Sequence, residues 1–340
     1  MILALDLGVF HRKVHRISLR EALVWSVVWT LLGLLFTVFI YFAYDYHWFE
    51  LGLTIDNIDG QFSNGSSAAV KYLTGYILER SLSIDNIFVI AIVFRSLATP
   101  AIYQHRVLFW GILGALVLRG VMIAIGVELI SRYHWILYVF GFFLIITAVK
   151  MLVIKEHNDP TQNKLIKWLK HIAPFTDRYH GQYFVVRAGS KRSHLAQTPG
   201  GSVEVDLAVE KAKAGTWMLT PLALVLALVE IMDVVFAVDS IPAIFAITAD
   251  PFLVFTSNVL AIFGLRALYF ALAGLIDKFR YLKISLAFIL ALVGLKMVFS
   301  KHLKDALGFD LNLYLLSIII LILAFGILAS LSTEDDKSKN

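Results

Sequence analysis

Acidic residues lie inside two of the most apolar stretches of this 340-residue chain, and they recur at the same spacing. In each stretch an acid is followed six residues later by Asp, which is followed directly by a small polar residue. The residues are Glu79, Asp85 and Asn86 in the first copy and Asp233, Asp239 and Ser240 in the second. Burying a charged carboxylate in a membrane costs about 2.5–3.5 kcal/mol on insertion scales, so such residues usually mark a substrate or ion path. The repeated spacing therefore indicates a functional site.

The side chains in these stretches offer the hard oxygen ligands that Mg²⁺, Mn²⁺ and Ca²⁺ prefer in proteins. The predicted pseudo-symmetric metal ligands are Asp85, Asn86, Asp239 and Ser240. The acids that would complete the coordination or relay protons are Glu79, Asp233 and Glu230. Asn258, early in a later apolar run, is a further candidate ligand.

Two arginines, Arg119 and Arg266, follow the two acid patterns in apolar surroundings that are rich in small residues. Arginine does not release its proton in proteins, so each would carry a permanent charge into the bundle. They would neutralise the acids when no cation is bound, or they would pair with the acids only to hold helices together. The sequence leaves both interpretations open.

The spacing within each copy does not by itself bring the two acids together. Six residues on an unbroken helix correspond to about 240° of rotation, so Glu79 and Asp85 would not share a face. The same holds for Asp233 and Asp239. Convergence requires local unwinding or ligands from different helices. Pro242 removes a backbone hydrogen bond and predicts a break in the second copy.

The composition is typical of a membrane protein. Only 16% of the residues are charged and 59% are hydrophobic, whereas soluble domains carry about 25% charged residues. The chain has no cysteine, which excludes disulfides and thiolate metal ligands. Lys and Arg collect beside apolar runs, as membrane topology requires, so the net charge of +5 does not indicate nucleic-acid binding.

A membrane crossing needs about 20 apolar residues, and we predict an all-α polytopic membrane protein with about eight transmembrane helices. The predicted spans are 22–43, 68–95, 106–128, 133–154, 217–247, 252–274, 283–300 and 312–331. The resulting organisation is an N-terminal segment 1–21, membrane helices 22–154, a loop 155–216, membrane helices 217–331 and a tail 332–340.

The distribution of Lys and Arg predicts the orientation, because cytoplasmic loops are enriched in them. Segment 1–21 contains four Lys or Arg residues, and loop 155–216 contains ten. Segment 44–66 contains four acidic residues and no Lys or Arg. Both termini and the long loop are therefore expected in the cytoplasm, with the bacterial inner membrane as the expected location. The loop contains a strand-like run at 183–187 and a helical pattern at 203–213, so it is either a small subdomain or a flexible linker.

Further matches indicate an internal repeat. Phe precedes a Lys-Met pair by eight residues at Phe142 and again at Phe288. We predict two repeats of three helices, 68–154 and 217–300. An odd number of spans inverts the second copy, and inverted repeats around a midplane site are typical of secondary transporters.

At these residues the chain resembles the TerC/Alx family of integral membrane proteins. The resemblance is strongest from Val229 to Thr248 (VEIMDVVFAVDSIPAIFAIT), and it also covers Glu79 to Asn86 and the run up to Arg119. It implies a polytopic inner-membrane protein of the LysE-like transporter group, which is linked to tellurium resistance, alkaline response and manganese efflux. The spacing alone does not select manganese over magnesium or calcium.

The leading hypothesis is a secondary transporter that exports Mn²⁺ by proton exchange, with Mn²⁺, protons and the lipid bilayer as partners and no resident cofactor. We expect no enzyme activity, and the chain has no phosphate-binding loop for ATP hydrolysis. One alternative is an intramembrane aspartyl hydrolase that uses Asp85 and Asp239. Another is a membrane assembly or metal-delivery partner, associated with tellurium or alkaline stress resistance, that docks a protein on loop 155–216.

Overall fold

A computed structural model of the chain describes residues 19–153, 166, 168–169, 171, 173–189, 196–197, 203–272, 280–307 and 311–337. The described residues are mostly helical, which confirms the predicted all-α fold class. The helices are α1 (Leu19–Asp45), α2 (Gly65–Ser96), α3 (Ala101–Arg132), α4 (Ile136–Val153), α5 (Leu207–Lys211), α6 (Pro221–Phe245), α7 (Pro251–Phe263), α8 (Leu265–Leu272), α9 (Arg280–Leu307) and α10 (Leu311–Lys337). A short 3₁₀ turn covers Trp48–Glu50. Most of the predicted segment 1–21 lies outside the described residues.

Seven helical stretches in the described part of the chain are long and apolar enough to cross a membrane. The eighth predicted span, 68–95, lies within the single 32-residue helix α2. This helix is long enough to cross a membrane, but it carries more charge than the other seven. Its charged residues are Lys71, Glu79, Arg80, Asp85 and Arg95. The chain is therefore a polytopic membrane protein in which one of the two acid patterns lies in a long helix with five charged residues.

The prediction of a break at Pro242 was wrong. Helix α6 continues through Pro242 and ends at Phe245. Proline removes one backbone hydrogen bond, and the helix ends three residues later, at Phe245. Helix α2 likewise continues through Glu79 and Asp85, so the two acids stay on different faces as the helical rotation requires. The predicted span 217–247 also begins later, at Pro221, because Trp217–Leu219 forms a strand.

A break does occur in the predicted span 252–274, where Gly264 separates α7 from α8. Arg80 of α2 donates from Nη1 to the carbonyl oxygen of Ala261 at 2.9 Å. In a continuous helix that carbonyl would accept from the amide four residues later. A Cβ at position 264 would meet the guanidinium, so the absence of a side chain there makes room for it. The charge of Arg80 thus stabilises the end of α7, where the backbone carries partial negative charge.

The described chain divides into two compact units. The larger unit comprises residues 19–87, 116–153 and the described residues between 234 and 337. In it α9 packs closely against α4 where Gly294 meets Gly141. These are the third helices of the two predicted repeats, so the repeats share an interface. Their inverted orientation stays a prediction.

The smaller unit comprises residues 88–115 and the described residues between 166 and 233. The short strands among its described residues are β1 (Val185–Arg187), β2 (Ala196–Gln197), β3 (Val203–Glu204) and β4 (Trp217–Leu219). Strand β1 pairs antiparallel with β4, and β2 pairs antiparallel with β3. A small core joins the first sheet to α5, and its members are Val186, Ala188, Val209 and Met218. We call residues 173–189 and 203–219 the subdomain. Its core favours an ordered structure over a flexible linker for this part of loop 155–216.

A buried ion pair fixes the connection between α1 and α2 in the larger unit. Asp56 accepts hydrogen bonds from Lys71 Nζ at 2.9 Å, from Thr248 Oγ1 at 2.5 Å and from the amide of Ala249 at 3.0 Å. Lys71 also pairs with Asp59. This network links the α1–α2 connection to the α6–α7 connection. Burial alone would raise the pKa of the Asp56 carboxyl, but the Lys71 ammonium and the two further donors hold this pKa below its ordinary value.

Replacing Asp56 by Asn should destabilise the folded protein by about 3 kcal/mol, the low end for removing one partner of a buried pair, because Asp59 remains beside Lys71. The lowered pKa of Asp56 determines how the stability changes with pH. The stabilisation from Asp56 is present above the unfolded pKa of about 3.9 and is lost as the pH falls through the lower folded value. Apparent melting temperatures in detergent should therefore fall in acid more steeply for the wild type than for Asp56→Asn. Equal melting temperatures of the two proteins at pH 7 would contradict this account.

Candidate functional site

Oxygen atoms from three helices converge on the guanidinium of Arg119 in α3. Arg119 Nη1 donates to Asn258 Oδ1 of α7 at 2.9 Å and to Ser240 Oγ of α6 at 3.3 Å. The same nitrogen forms a short ion pair with Glu79 Oε1 of α2. All four residues are buried, with Glu79 fully inaccessible and Arg119 2% exposed. We call these four residues the Arg119 cluster. It joins helices from both predicted repeats.

The Arg119 cluster has more acceptor oxygens than one nitrogen can serve. A guanidinium Nη carries two protons, so Nη1 cannot donate to all three oxygens at once with good geometry. The distance to Ser240 is longer than the distance to Asn258, which fits a shared proton. A metal ion can contact three oxygens more easily than an NH₂ group can, because its contacts do not depend on the directions of two N–H bonds.

Three buried polar atoms, two in this cluster and one on the same helix as Glu79, lack hydrogen-bond partners among the described residues. They are Glu79 Oε2, Asn258 Nδ2 and Ser83 Oγ. Ser83 lies one helical turn after Glu79 and therefore on the same face of α2. Most buried polar atoms in proteins have a partner, and one without a partner requires an explanation. Glu79 uses only Oε1 on Arg119, so its Oε2 atom retains capacity to bind a second cation, whereas the free atom of Asn258 is a donor.

Asp239, directly before Ser240 in α6, is oriented by a different helix. It accepts a hydrogen bond from Thr147 Oγ1 of α4 at 3.0 Å. Sequence reasoning did not single out Thr147. Its only signal is a hydroxyl in an apolar run, and such hydroxyls more often bond to their own helix backbone. Adjacent residues of α6 thus connect the site to α3 through Ser240 and to α4 through Asp239.

The structure places the first-copy residues Asp85 and Asn86 on α2 after Glu79, with Asp85 half-buried and Asn86 buried. Arg266 is also buried, at the start of α8 after the break. No group of three or more His, Asp or Glu side chains in the described ranges is arranged to hold a metal ion. A metal site here would therefore combine carboxylates with amide and hydroxyl oxygens.

The remaining two acids, Glu230 and Asp233, belong to the smaller unit. Both are half-buried on α6. The Glu230 carboxylate lies directly against Gly114 of α3, where any Cβ would collide with it. Its Oε2 atom is buried and has no hydrogen-bond partner among the described residues. Position 114 therefore has to lack a side chain if Glu230 is to keep this position.

Comparison with known proteins gives one family and several bacterial relatives. The model of the TerC integral membrane protein family matches residues 64–338. A membrane protein of Myxococcus xanthus is 42% identical over 305 residues, covering 89% of this chain and 81% of that protein. Alx of Photorhabdus laumondii, named as a candidate membrane-bound redox modulator, is 44% identical over 303 residues, covering 88% and 82%. Alx of Escherichia coli is 42% identical over 300 residues, with the same coverage. No solved structure matches the chain.

Removing either charge of the Arg119 cluster should destabilise the protein strongly, because the other charge is left buried. We expect Glu79→Gln and Arg119→Gln each to cost about 3–5 kcal/mol of stability, whereas the double variant should recover much of that loss. The matched control is Glu128→Gln in the same helix α3. Glu128 pairs with Arg132 at the surface, with both side chains at least 60% exposed, so its loss should cost at most about 1 kcal/mol.

The measurement is the apparent melting temperature in detergent, followed by size-exclusion fluorescence. Single variants that melt with the Glu128→Gln control would show that the buried pair does not hold the bundle together.

Proposed function

Since the chain belongs to the TerC family of integral membrane proteins, we propose that it is a secondary transporter that exports a divalent metal ion, Mn²⁺, in exchange for protons. The observation that carries this proposal is the convergence of carboxylate, amide and hydroxyl oxygens from three helices on one buried positive charge. The proposal includes the expected location in the bacterial inner membrane with both termini in the cytoplasm.

In this proposal Arg119 acts as a tethered cation. Its guanidinium neutralises Glu79 and occupies the position at which oxygens of α2, α6 and α7 meet. A divalent ion at this position carries a larger charge than the guanidinium. It also binds more oxygen ligands than the two N–H bonds of Nη1 can serve. The ion would displace the guanidinium and bind Glu79, Asn258 and Ser240, with Asp239 next to Ser240 as a further oxygen source. The guanidinium would return when the ion leaves.

Proton exchange follows from the same carboxylates. An Asp or Glu that binds a metal ion must be ionised, so protons and metal ions compete for it. Asp239 already accepts a hydrogen bond from Thr147, and Glu79 has one oxygen without a partner among the described residues. Asp85, Asn86, Asp233 and Glu230 are proposed as further ligands or proton carriers along the path. Arg266 is proposed to act as the counterpart of Arg119 in the second repeat.

The oxygen ligands fit a hard divalent cation, and the choice of Mn²⁺ within that class rests on the resemblance to the family. Relatives of the chain are named for redox modulation. This chain has no cysteine, so a redox effect through its own thiols is excluded. Export of a redox-active metal would change the redox state of the cell indirectly, which is compatible with those names.

The test is Mn²⁺ flux in liposomes that contain the purified protein and a metal-sensitive dye. An imposed pH gradient should accelerate flux in the wild type. Asp239→Asn should lose it while remaining folded, because Asp239 is only half-buried and its amide can still accept from Thr147. Thr147→Val, which leaves Asp239 ionised but removes its donor, should reduce flux less severely.

The matched control is Glu128→Gln, an exposed acid in α3 whose loss should leave flux unchanged. Absence of flux from well-folded wild-type protein with Mn²⁺, Mg²⁺ and Ca²⁺ would exclude the transporter. Full flux through Asp239→Asn would exclude this site.

A further inference from the structure

The subdomain is joined directly to the start of a membrane helix. Only Thr220 separates strand β4 from Pro221, the first residue of α6. Thr220 Oγ1 donates to the carbonyl of Tyr183 at 2.7 Å, and its amide donates to the carbonyl of Phe184 at 2.9 Å, immediately before β1. An extended residue spans at most about 3.6 Å, so Trp217 lies within about 15 Å of the first residue of α6.

Two further contacts within the same unit attach the subdomain to the membrane helices. The Tyr179 hydroxyl donates to the carbonyl of Leu97, just after α2, at 2.8 Å, and its ring lies beside Tyr103 of α3. Arg106 of α3 lies over the Phe184 ring, 5.4 Å from the centroid. The β1–β4 sheet is therefore held beside the end of α2 and the start of α3.

The two faces of this sheet differ in what covers them. Val186 and Met218 point inward, and they pack against Val209 of α5. The register pairs Val185 with Leu219 and Arg187 with Trp217 on the opposite face. Trp217 is 65% exposed and Val185 is 40% exposed, although both are large and apolar. This outer face therefore presents hydrophobic surface beside the ends of membrane helices.

The chemistry of the outer face matches that of a lipid headgroup layer. The guanidinium of Arg187 lies 6.0 Å from the Trp217 ring centroid, so a cation and an aromatic ring are presented together. Trp is enriched at membrane interfaces, and Arg near the surface is attracted by anionic lipids. Residues 155–216 contain ten Lys or Arg against six Asp or Glu, which adds a positive charge to the same segment.

We propose that the outer face of the β1–β4 sheet rests on the bilayer in which the protein is embedded. Trp217 and Val185 lie in the headgroup layer, and Arg187 binds the phosphate of an anionic lipid. This contact fixes the strand that leads into α6, the helix that carries Glu230, Asp233 and Asp239. The proposal is independent of metal transport, so it can fail or succeed separately from the proposed function.

Because the chain has no cysteine, one introduced thiol can be labelled without removing others. Val185→Cys places an environment-sensitive fluorophore on the outer face. Glu210→Cys is the matched control, since Glu210 is exposed on α5, the helix that covers the inner face. The full-length proteins are reconstituted in vesicles of phosphatidylcholine with or without phosphatidylglycerol. Quenching is then compared for headgroup-attached nitroxide lipids and for aqueous iodide.

We expect the probe at position 185 to be quenched severalfold more by nitroxide lipid than the probe at position 210, and the reverse with iodide. Phosphatidylglycerol should strengthen lipid quenching at 185. Arg187→Gln should remove that dependence, and Arg187→Lys should restore part of it. Equal iodide quenching at both positions would overturn the proposal. Protection of position 185 from both quenchers would also overturn it, and would indicate a protein contact instead.

Discussion

The buried charge of Arg119 is the constraint on which the rest of the bundle depends. A guanidinium cannot lose its proton, so a helix that carries one through an apolar bundle must find acceptors on its neighbours. Glu79, Ser240 and Asn258 supply them from three other helices. Their positions along α2, α6 and α7 are therefore set by one side chain. Asp239 is positioned as a consequence, because it follows the backbone of Ser240 and completes its own contact with Thr147 of α4.

Other cations that are buried or partly buried perform related structural roles in the larger unit. Arg80 binds the carbonyl of Ala261 at the end of α7, and Lys71 binds Asp56 in the connection between α1 and α2. Lys296 of α9 donates to the carbonyl of Ala246 at 2.8 Å, just after α6 ends, and to Asn312 of α10 at 2.7 Å. These three cations hold helix ends and connections. Among them and Arg119, Arg119 alone is shared by a carboxylate, an amide and a hydroxyl from three membrane helices, which is why we assign exchange with a metal ion to it.

Hydropathy and acid spacing predicted the features that depend on local sequence. The membrane class, the approximate spans and the burial of Glu79, Asn86 and Ser240 all follow from apolar runs that contain polar residues. The position of the helix break could not be predicted in this way. Pro242 is a stronger local signal than Gly264, but it lies in a last turn, whereas the break at Gly264 is matched by Arg80 from a distant part of the chain. The same limit applies to Asp56, whose partners Thr248 and Ala249 are distant in sequence, and to Thr147. Contacts of this kind depend on how helices pack, and they cannot be predicted from the local pattern of a single sequence.

The most direct test of the exchange between Arg119 and a metal ion is equilibrium binding of Mn²⁺ to the purified protein, followed by the loss of the free-ion electron paramagnetic resonance signal. The wild type should bind Mn²⁺, and the double variant Glu79→Gln/Arg119→Gln should lose this binding although its fold is retained. Arg119→Gln protein that is recovered in folded form should bind more tightly than the wild type, because the competing guanidinium is gone and Glu79 remains. Equal Mn²⁺ affinity in the wild type and both variants would contradict the assignment of the metal site to the Arg119 cluster.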